Sequence, residues 1–360
     1  MAVTTEATAA AGARLVGPDV VRAVALIGVA LINYHGYLII RGGERDNGFF
    51  DPFRGPLATR FAATFVLTAG VGVTLLTRRA VDDAALTSAR RWTLVRRGLL
   101  LFGTGLLFDF VWRGTILPFY GAMFVLAAAM FTLPTVALAG IGLVAALAAA
   151  GIAWWGLEAR LDGRDVSWMY EPGSRSPRGV LLDVFVNGTH PLLPWLAFLC
   201  AGMIVGRLLT ATLWRPLVAG IGMTLFGAAT IASGLAGNGE RVLVLASTDH
   251  VDRGLLYTAS AVGTALVAFA VISWLAERFA DTPVVEALAS AGAMTLTLYV
   301  AHALVFNLVV DWLDVVEPGG LGTAVAFAAV FWVVAIAFAW WYRQRFAIGP
   351  LEWLYRRLSD

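Results

Sequence analysis

Arg22, Asn33 and His35 stand inside one apolar run, PDVVRAVALIGVALINYHGYLII from Pro18 to Ile40. About 20 helical residues cover a hydrocarbon core of roughly 30 Å, so the run is long enough to cross a bilayer. Polar and charged side chains within such a run are costly against lipid and persist where they face protein or a water-filled cavity, so this helix reads as the wall of a site. Arg22 and Asn33 are eleven residues apart. That is about three helical turns, which puts them on one face roughly 16 Å apart along the axis. His35 comes two positions after Asn33 and points about 160° away from it unless the helix loosens at Gly36.

The chain has four histidines, the side chains best suited to move a proton near neutral pH. Threaded through the apolar runs, all of them fall toward one side. His35 is late in an outward span, His190 opens an inward one, His250 lies in an outer loop and His302 is past the middle of an outward span. Histidines also collect at polar mouths without catalytic cause, so none is singled out by position alone. Thr295, Tyr299 and His302 fall at i, i+4 and i+7 of one helix, beside small Ser290, Gly292 and Ala293 that let a neighbouring helix approach. Asp109 precedes Arg113 by four residues, a spacing that allows an ion pair near the outer surface. The loop STDHVDRG brings Asp249, His250, Asp252 and Arg253 together. Adjacent Asp and His side chains usually diverge, so a solvated loop is an equal reading of that segment.

The elements that must position these groups are membrane helices. The 360 residues are 59% hydrophobic and 14% charged, with a mean hydropathy of +0.78, whereas soluble domains carry about 25% charged residues. Apolar runs at 18–40, 58–77, 94–112, 116–134, 137–156, 190–207, 217–237, 256–276, 286–310 and 323–342 predict an all-α, polytopic helix bundle of about ten spans. Every basic side chain other than histidine is arginine, which excludes a Schiff-base or phosphate-loop lysine. Cys200 is the single cysteine and reads as a small core residue. There is no HExxH motif and no histidine pair at helical spacing, so no metal site is expected. Gly70-Val71-Gly72 and Gly103-Thr104-Gly105 lie within spans, where glycine serves close helix packing. Pro318-Gly319-Gly320 reads as a turn.

Arginine placement predicts orientation, because short arginine-rich loops stay cytoplasmic. Arg78, Arg79, Arg90, Arg91, Arg96 and Arg97, then Arg207 and Arg215, then Arg343, Arg345, Arg356 and Arg357 share one side of a ten-span threading, with both termini on it. The opposite surface is net acidic, and its longest loop, 157–189, has the makings of a small lid. The predicted organisation is a disordered cytoplasmic leader over 1–17, one membrane domain over 18–342 in a multi-pass cell-membrane protein, and a basic cytoplasmic tail over 343–360. A basic face explained by topology gives no nucleic-acid footprint. Membrane lipids are the expected surroundings, and homo-oligomerisation is left open.

RAVALIGVALIN, from Arg22 to Asn33, resembles the first-span pattern of YeiB-like membrane proteins and of heparan-alpha-glucosaminide N-acetyltransferase, with Ala23 in place of the usual glycine. NGTHPLLPWLAFLCAGMIVGR, from Asn187 to Arg207, is similar to a second shared segment. The stretch from Asp249 to Gly263, GAMTLTLYVAHAL from Gly292 and GPLEWLYR from Gly349 resemble the C-terminal YeiB-like module. The resemblance implies an acyltransferase-like half to about residue 210 and a YeiB-like module from about 217. It also implies an acyl-coenzyme A donor, acetyl-CoA foremost, bound from the cytoplasm, and a hydroxyl or amine acceptor on the far side, whether envelope glycan, glycolipid or small molecule. Carried over by residue, Asn33 matches the first-span asparagine and His250 a histidine ahead of the C-terminal spans. The acetyltransferase places its catalytic histidine eleven residues after that asparagine, and here the position is Glu44. Either His35, His190 or His250 replaces it in space, or acetyl transfer is not the reaction.

On the acyltransfer reading a histidine deprotonates the acceptor, and Asn33 orients the thioester or holds the oxyanion. Arg22 belongs to the same wall, and Arg96 and Arg97 could hold coenzyme A phosphates, although sidedness alone also explains these two. Tyr299, His302, Thr295, Asp249, Arg253 and Asp109 would bind substrate. A thioester is already activated, so no metal is required. The rival is a transporter or lipid flippase whose path the same polar groups line, with His302 or Asp109 binding a proton. A scaffold for envelope enzymes that docks them on loop 157–189 is a third.

Overall fold

The computed structural model describes residues 15–169, 176–237 and 239–359. Most of the expected disordered leader, and Tyr170, Glu171 and Pro172 of the expected lid, lie outside these residues. Among the described residues the chain is helical without a strand: α1 (Val16–Ile40), α2 (Arg60–Thr77), α3 (Ala84–Phe108), α4 (Leu117–Met130), α5 (Thr135–Leu161), α6 (Pro177–Leu182), α7 (Leu192–Leu208), α8 (Trp214–Leu235), α9 (Glu240–Ala246), α10 (Leu255–Arg278), α11 (Pro283–Gly292), α12 (Thr295–Phe306), α13 (Leu321–Arg343) and α14 (Pro350–Ser359). Each of the expected apolar segments contains a helix. Among the described residues seven helical segments are long and apolar enough to cross a membrane, α12 only together with its continuation to Trp312, and there are up to eight if the bent pair of residues 177–187 and α7 is one span. The other two expected crossings differ. Segment 94–112 falls in α3, which starts ten residues earlier at a cap where the Asp83 carboxylate accepts the Ala85 and Leu86 N–H groups. Segment 116–134 contains α4, only 14 residues long.

The single helix expected over 286–310 is in fact two. Gly292 ends α11 directly against α1, where a Cβ would come within 1.8 Å of the Asp19 carbonyl oxygen. The chain then turns through Ala293 and Met294 and restarts as α12. A helix start leaves N–H groups without intrahelical partners. Here a side chain from the chain's far end supplies them: Glu352 Oε1 accepts from the Leu296 and Thr297 amides at 2.7 and 3.0 Å, and Oε2 from the Thr297 hydroxyl at 2.6 Å. That carboxylate fixes α14 across the base of α12.

α1 is the hub of the bundle, packing against α2, α10, α11, α12 and α13. Around it, the three most extensive helix pairs are α8–α10, α3–α4 and α2–α7. Each is built on two facing glycines. A Cβ on Gly98 would lie 2.6 Å from the Gly121 carbonyl oxygen, one on Gly222 2.7 Å from that of Gly263, and one on Gly202 1.9 Å from the Leu67 oxygen, beside Gly70. Lipid tails are as apolar as leucine, so helix association in a bilayer leans on close backbone contact, which only small residues permit.

The two ends of the bundle are tied differently. At one, Arg207 donates to the Phe131 and Leu133 carbonyls at 3.1 and 2.7 Å, Arg91 to the Ala128 carbonyl at 2.9 Å, and Arg215 pairs with Glu277. At the other, Arg41 makes a two-pronged pair with Asp311 at 2.5 and 2.6 Å, and Arg241 another with Glu158 at 2.6 and 2.9 Å. Asp109 does not pair with Arg113 as expected: it accepts the Gly114 N–H at 2.8 Å and closes the turn after α3.

Gly202→Val, which drives side-chain carbon into the α2 backbone, is expected to destabilise by about 1–3 kcal/mol or more and to lower the thermal unfolding midpoint in detergent by several degrees. Gly103→Ala, whose Cβ meets open space, is expected to leave it unchanged. Equal midpoints for the two variants would show that the glycine crossings do not hold the bundle.

Candidate active site

Helical spacing set Arg22 and Asn33 on one face of α1, and that face borders a series of voids. An inner cavity of about 370 Å³ is lined by Arg22, Arg97, Tyr120, Thr295, Tyr299, Glu352 and Arg356. An outer basin of about 680 Å³ is lined by Asn33, Tyr37, Arg113, His190, Trp195, His250, Arg253 and Tyr257. Between them lies a throat of about 40 Å³. Asn33, His190 and Gly114 are common to throat and basin, while Phe65, Ile116 and Tyr299 are common to throat and inner cavity. Arg22 therefore marks one end of the series and Asn33 its waist.

The groups along this path are held in distinct ways. Arg22 donates to Asp19 at 3.0 Å and to the Gly292 carbonyl at 3.4 Å, with Gly72 opposite leaving room for its guanidinium. Asn33 has no protein hydrogen bond among the described residues, so its carboxamide is available to whatever enters the throat. The Tyr299 hydroxyl lies 3.0 Å from Thr115 Oγ1 and accepts the Ile116 N–H at 3.2 Å, which fixes it at the junction with the inner cavity. Tyr120 also lines that cavity, with a buried hydroxyl that has no partner.

At the outer end, the STDHVDRG loop is folded by its own side chains. Ser247 Oγ accepts the Asp249 N–H at 2.9 Å and Asp249 Oδ1 accepts the Val251 N–H at 3.0 Å. Arg253 takes a left-handed conformation with φ 51°, which costs roughly 1–2 kcal/mol for a residue with a Cβ. In return its guanidinium grips the Val186, Asn187 and Gly188 carbonyls, the last at 2.7 Å, clamping this loop onto the segment ahead of α7. The adjacent Asp249 and His250 side chains do meet: Asp249 Oδ1 is 3.3 Å from His250 Nδ1, and Oδ2 is 3.6 Å from Arg54. Burial pushes the Asp249 carboxyl up, but the His250 and Val251 hydrogen bonds and the Arg54 charge outweigh it and leave it below the usual carboxylate range. His190, in the loop before α7, has Nδ1 3.0 Å from Thr189 Oγ1 and its ring packed on Trp195 at 4.6 Å and Phe119 at 5.8 Å.

Other expected site residues stand apart from the voids. His35 is fully buried, its Nδ1 3.0 Å from the Phe50 carbonyl, and it lines none of them. His302 is likewise buried, packed on Trp112 at 5.2 Å and Tyr299 at 4.9 Å, with Nδ1 against the Tyr299 carbonyl. The Thr295–Tyr299–His302 stripe thus divides, since only the first two residues reach the inner cavity. Arg97 lines that cavity, whereas Arg96 is exposed outside it. Glu44 sits exposed near Gly320, clear of all three voids. Among the described residues no group of three or more His, Cys, Asp or Glu side chains is placed to hold a metal ion.

Several lining residues carry no motif in the sequence. Tyr120 is hidden in an apolar run, and Trp195 and Tyr257 read as ordinary membrane aromatics. Arg60 had a usable signal, being an arginine at the end of the bundle opposite the arginine-rich one.

Two family models match the chain. The heparan-alpha-glucosaminide N-acetyltransferase catalytic family matches residues 14–243, spanning α1 to α9. A protein family of unknown function, DUF418, which is YeiB-like, matches residues 202–360. A search of curated proteins found no match. With well over half of its length matched, the chain belongs to the heparan-alpha-glucosaminide N-acetyltransferase catalytic family and is a multi-pass membrane enzyme of acetyltransferase type.

Proposed function

We propose that the protein moves an acyl group, acetyl foremost, from an acyl-coenzyme A bound at the arginine-rich end to a hydroxyl or amine presented in the outer basin. The observation that carries this reading is the series of inner cavity, throat and basin beside α1. A donor and an acceptor reaching from opposite ends can meet only at the throat, where Asn33 and His190 are. The arginine-rich end is the cytoplasmic one on this reading, with both termini there. Arg22, Arg97 and Arg356 supply positive charge for the donor's phosphates.

At the throat the thioester carbonyl would receive hydrogen bonds from the Asn33 carboxamide and from His190. With its ring held on Trp195 and Phe119 at the throat, His190 is placed to donate from one ring nitrogen to a developing oxyanion. The base is His250, whose Nδ1 faces Asp249. The carboxylate orients the ring and stabilises the imidazolium formed as the acceptor gives up its proton. The acceptor oxygen or nitrogen bonds to the acyl carbon, the C–S bond breaks, and coenzyme A leaves as the thiol after taking up a proton. Glu44, at the family's histidine position, takes no part. A transporter could line a path with the same groups, and uptake of substrate without any acyl donor is what would distinguish it.

Asn33→Ala is expected to lower the acyl-transfer rate about 10²–10³-fold, and His250→Ala and Asp249→Asn about 10²–10⁴-fold, with acyl-CoA still bound in each. Stopped-assay measurement of coenzyme A release with purified protein checks this. Full activity in all three variants, or substrate uptake into liposomes without any acyl donor, would contradict it.

A further inference from the structure

Arg60 begins α2 at the outer end of the bundle, where the Asp249 charge acts on it without forming an ion pair. Its Nη2 donates to Ser260 Oγ at 2.9 Å and to the Thr248 carbonyl at 3.3 Å, its Nε to the Pro56 carbonyl at 3.3 Å, and its guanidinium lies 5.5 Å from the Tyr257 ring centre. No carboxylate pairs with it among the described residues, and Nη1 is buried without any partner. Four other arginines at this end pair with carboxylates, Arg41 with Asp311, Arg45 with Asp51, Arg54 with Asp249 and Arg241 with Glu158, while Arg253 is spent on three backbone carbonyls. A partly buried guanidinium with one enclosed nitrogen unpartnered gains from an anion that completes it.

Beside Arg60 there is room for one. A cavity of about 250 Å³, lined by Arg54, Arg60, Ser247, Thr248, Asp249 and His250 among others, shares Arg54, Thr59, His250 and Tyr257 with the outer basin. Its walls hold two guanidinium groups against one carboxylate, and that carboxylate already faces Arg54 and His250. Ser247 and Thr248 add hydroxyl groups to the wall. Arginine with hydroxyl donors is the usual reader of phosphate, sulfate or carboxylate oxygens.

We infer that this side cavity is an anion subsite for the acceptor, holding a phosphate, sulfate or carboxylate group through Arg60 and Arg54 so that the acceptor's nucleophile is delivered past His250 toward the throat. The inference rests on the acyl-transfer reading for the word acceptor, but the anion subsite itself is independent of it. The preference would be for acidic over neutral acceptors of the same size.

Binding tests this without relying on turnover. The full chain in detergent is titrated with inorganic phosphate, against chloride at the same ionic strength, and with glucose 6-phosphate and glucose, reading the thermal unfolding midpoint. Expected are a saturable rise with phosphate, glucose 6-phosphate binding at least about tenfold tighter than glucose, and a weakening of about tenfold or more in Arg54→Gln and in Arg60→Gln. Arg54 is largely exposed, so Arg54→Gln decides the matter if Arg60→Gln fails to fold. No saturable rise, or a rise that Arg54→Gln leaves intact, overturns the subsite. Glucose binding as tightly as its phosphate overturns its assignment to the acceptor. If the binding follows the expected pattern in a chain that transfers no acyl group from acyl-CoA, the acyltransferase reading falls and the anion subsite stands.

Discussion

A polar side chain on a membrane helix must find protein, water or ligand, because hydrocarbon offers it nothing. That constraint acts most strongly on α1, which touches five other helices and yet carries a guanidinium and a carboxamide. The bundle answers it with space. Where Arg22 and Asn33 emerge, the surrounding helices stand back to leave the inner cavity and the throat, while elsewhere glycine pairs draw helices into backbone contact. Tight crossings at α2–α7, α3–α4 and α8–α10 hold the frame in which this series of voids lies beside α1.

Both ends of the channel are shaped by contacts that reach far along the chain. Glu352 closes the start of α12 from a helix more than fifty residues later and brings Arg356 to the inner cavity. Arg253 spends a left-handed backbone conformation to bind the carbonyls of residues 186–188, setting the His250 loop beside His190. The first contact ties the last helix back onto α12 and the second joins the His250 loop to residues 186–188, so both ends are built from segments far apart in the chain.

Much of this was readable from the sequence, because helical periodicity and membrane cost are local. The apolar runs found the helices, and the eleven-residue spacing put Arg22 and Asn33 on the cavity face while turning His35 away from it. Long-range or conformational facts were not readable. Nothing near Gly292 and Met294 announces that a carboxylate from residue 352 makes a helix break tolerable there. Asp249 and His250 meet only because an Asx turn and the left-handed Arg253 fold their loop. Asp109 found a backbone N–H one position beyond the arginine that helical spacing offered it, since α3 had already ended. His302 shares a stripe with Tyr299, yet ring packing from Tyr34 and Trp112 encloses it.

The most direct measurement is an experimental map of the protein with a non-transferable acyl-coenzyme A analogue bound. The nucleotide is expected at the inner cavity beside Arg97 and Arg356, with the pantetheine arm running past Arg22 and Tyr299 and the thioester position within hydrogen-bond reach of Asn33. A nucleotide seated elsewhere, or a throat sealed between Tyr299 and His190 with the analogue in place, would contradict the account.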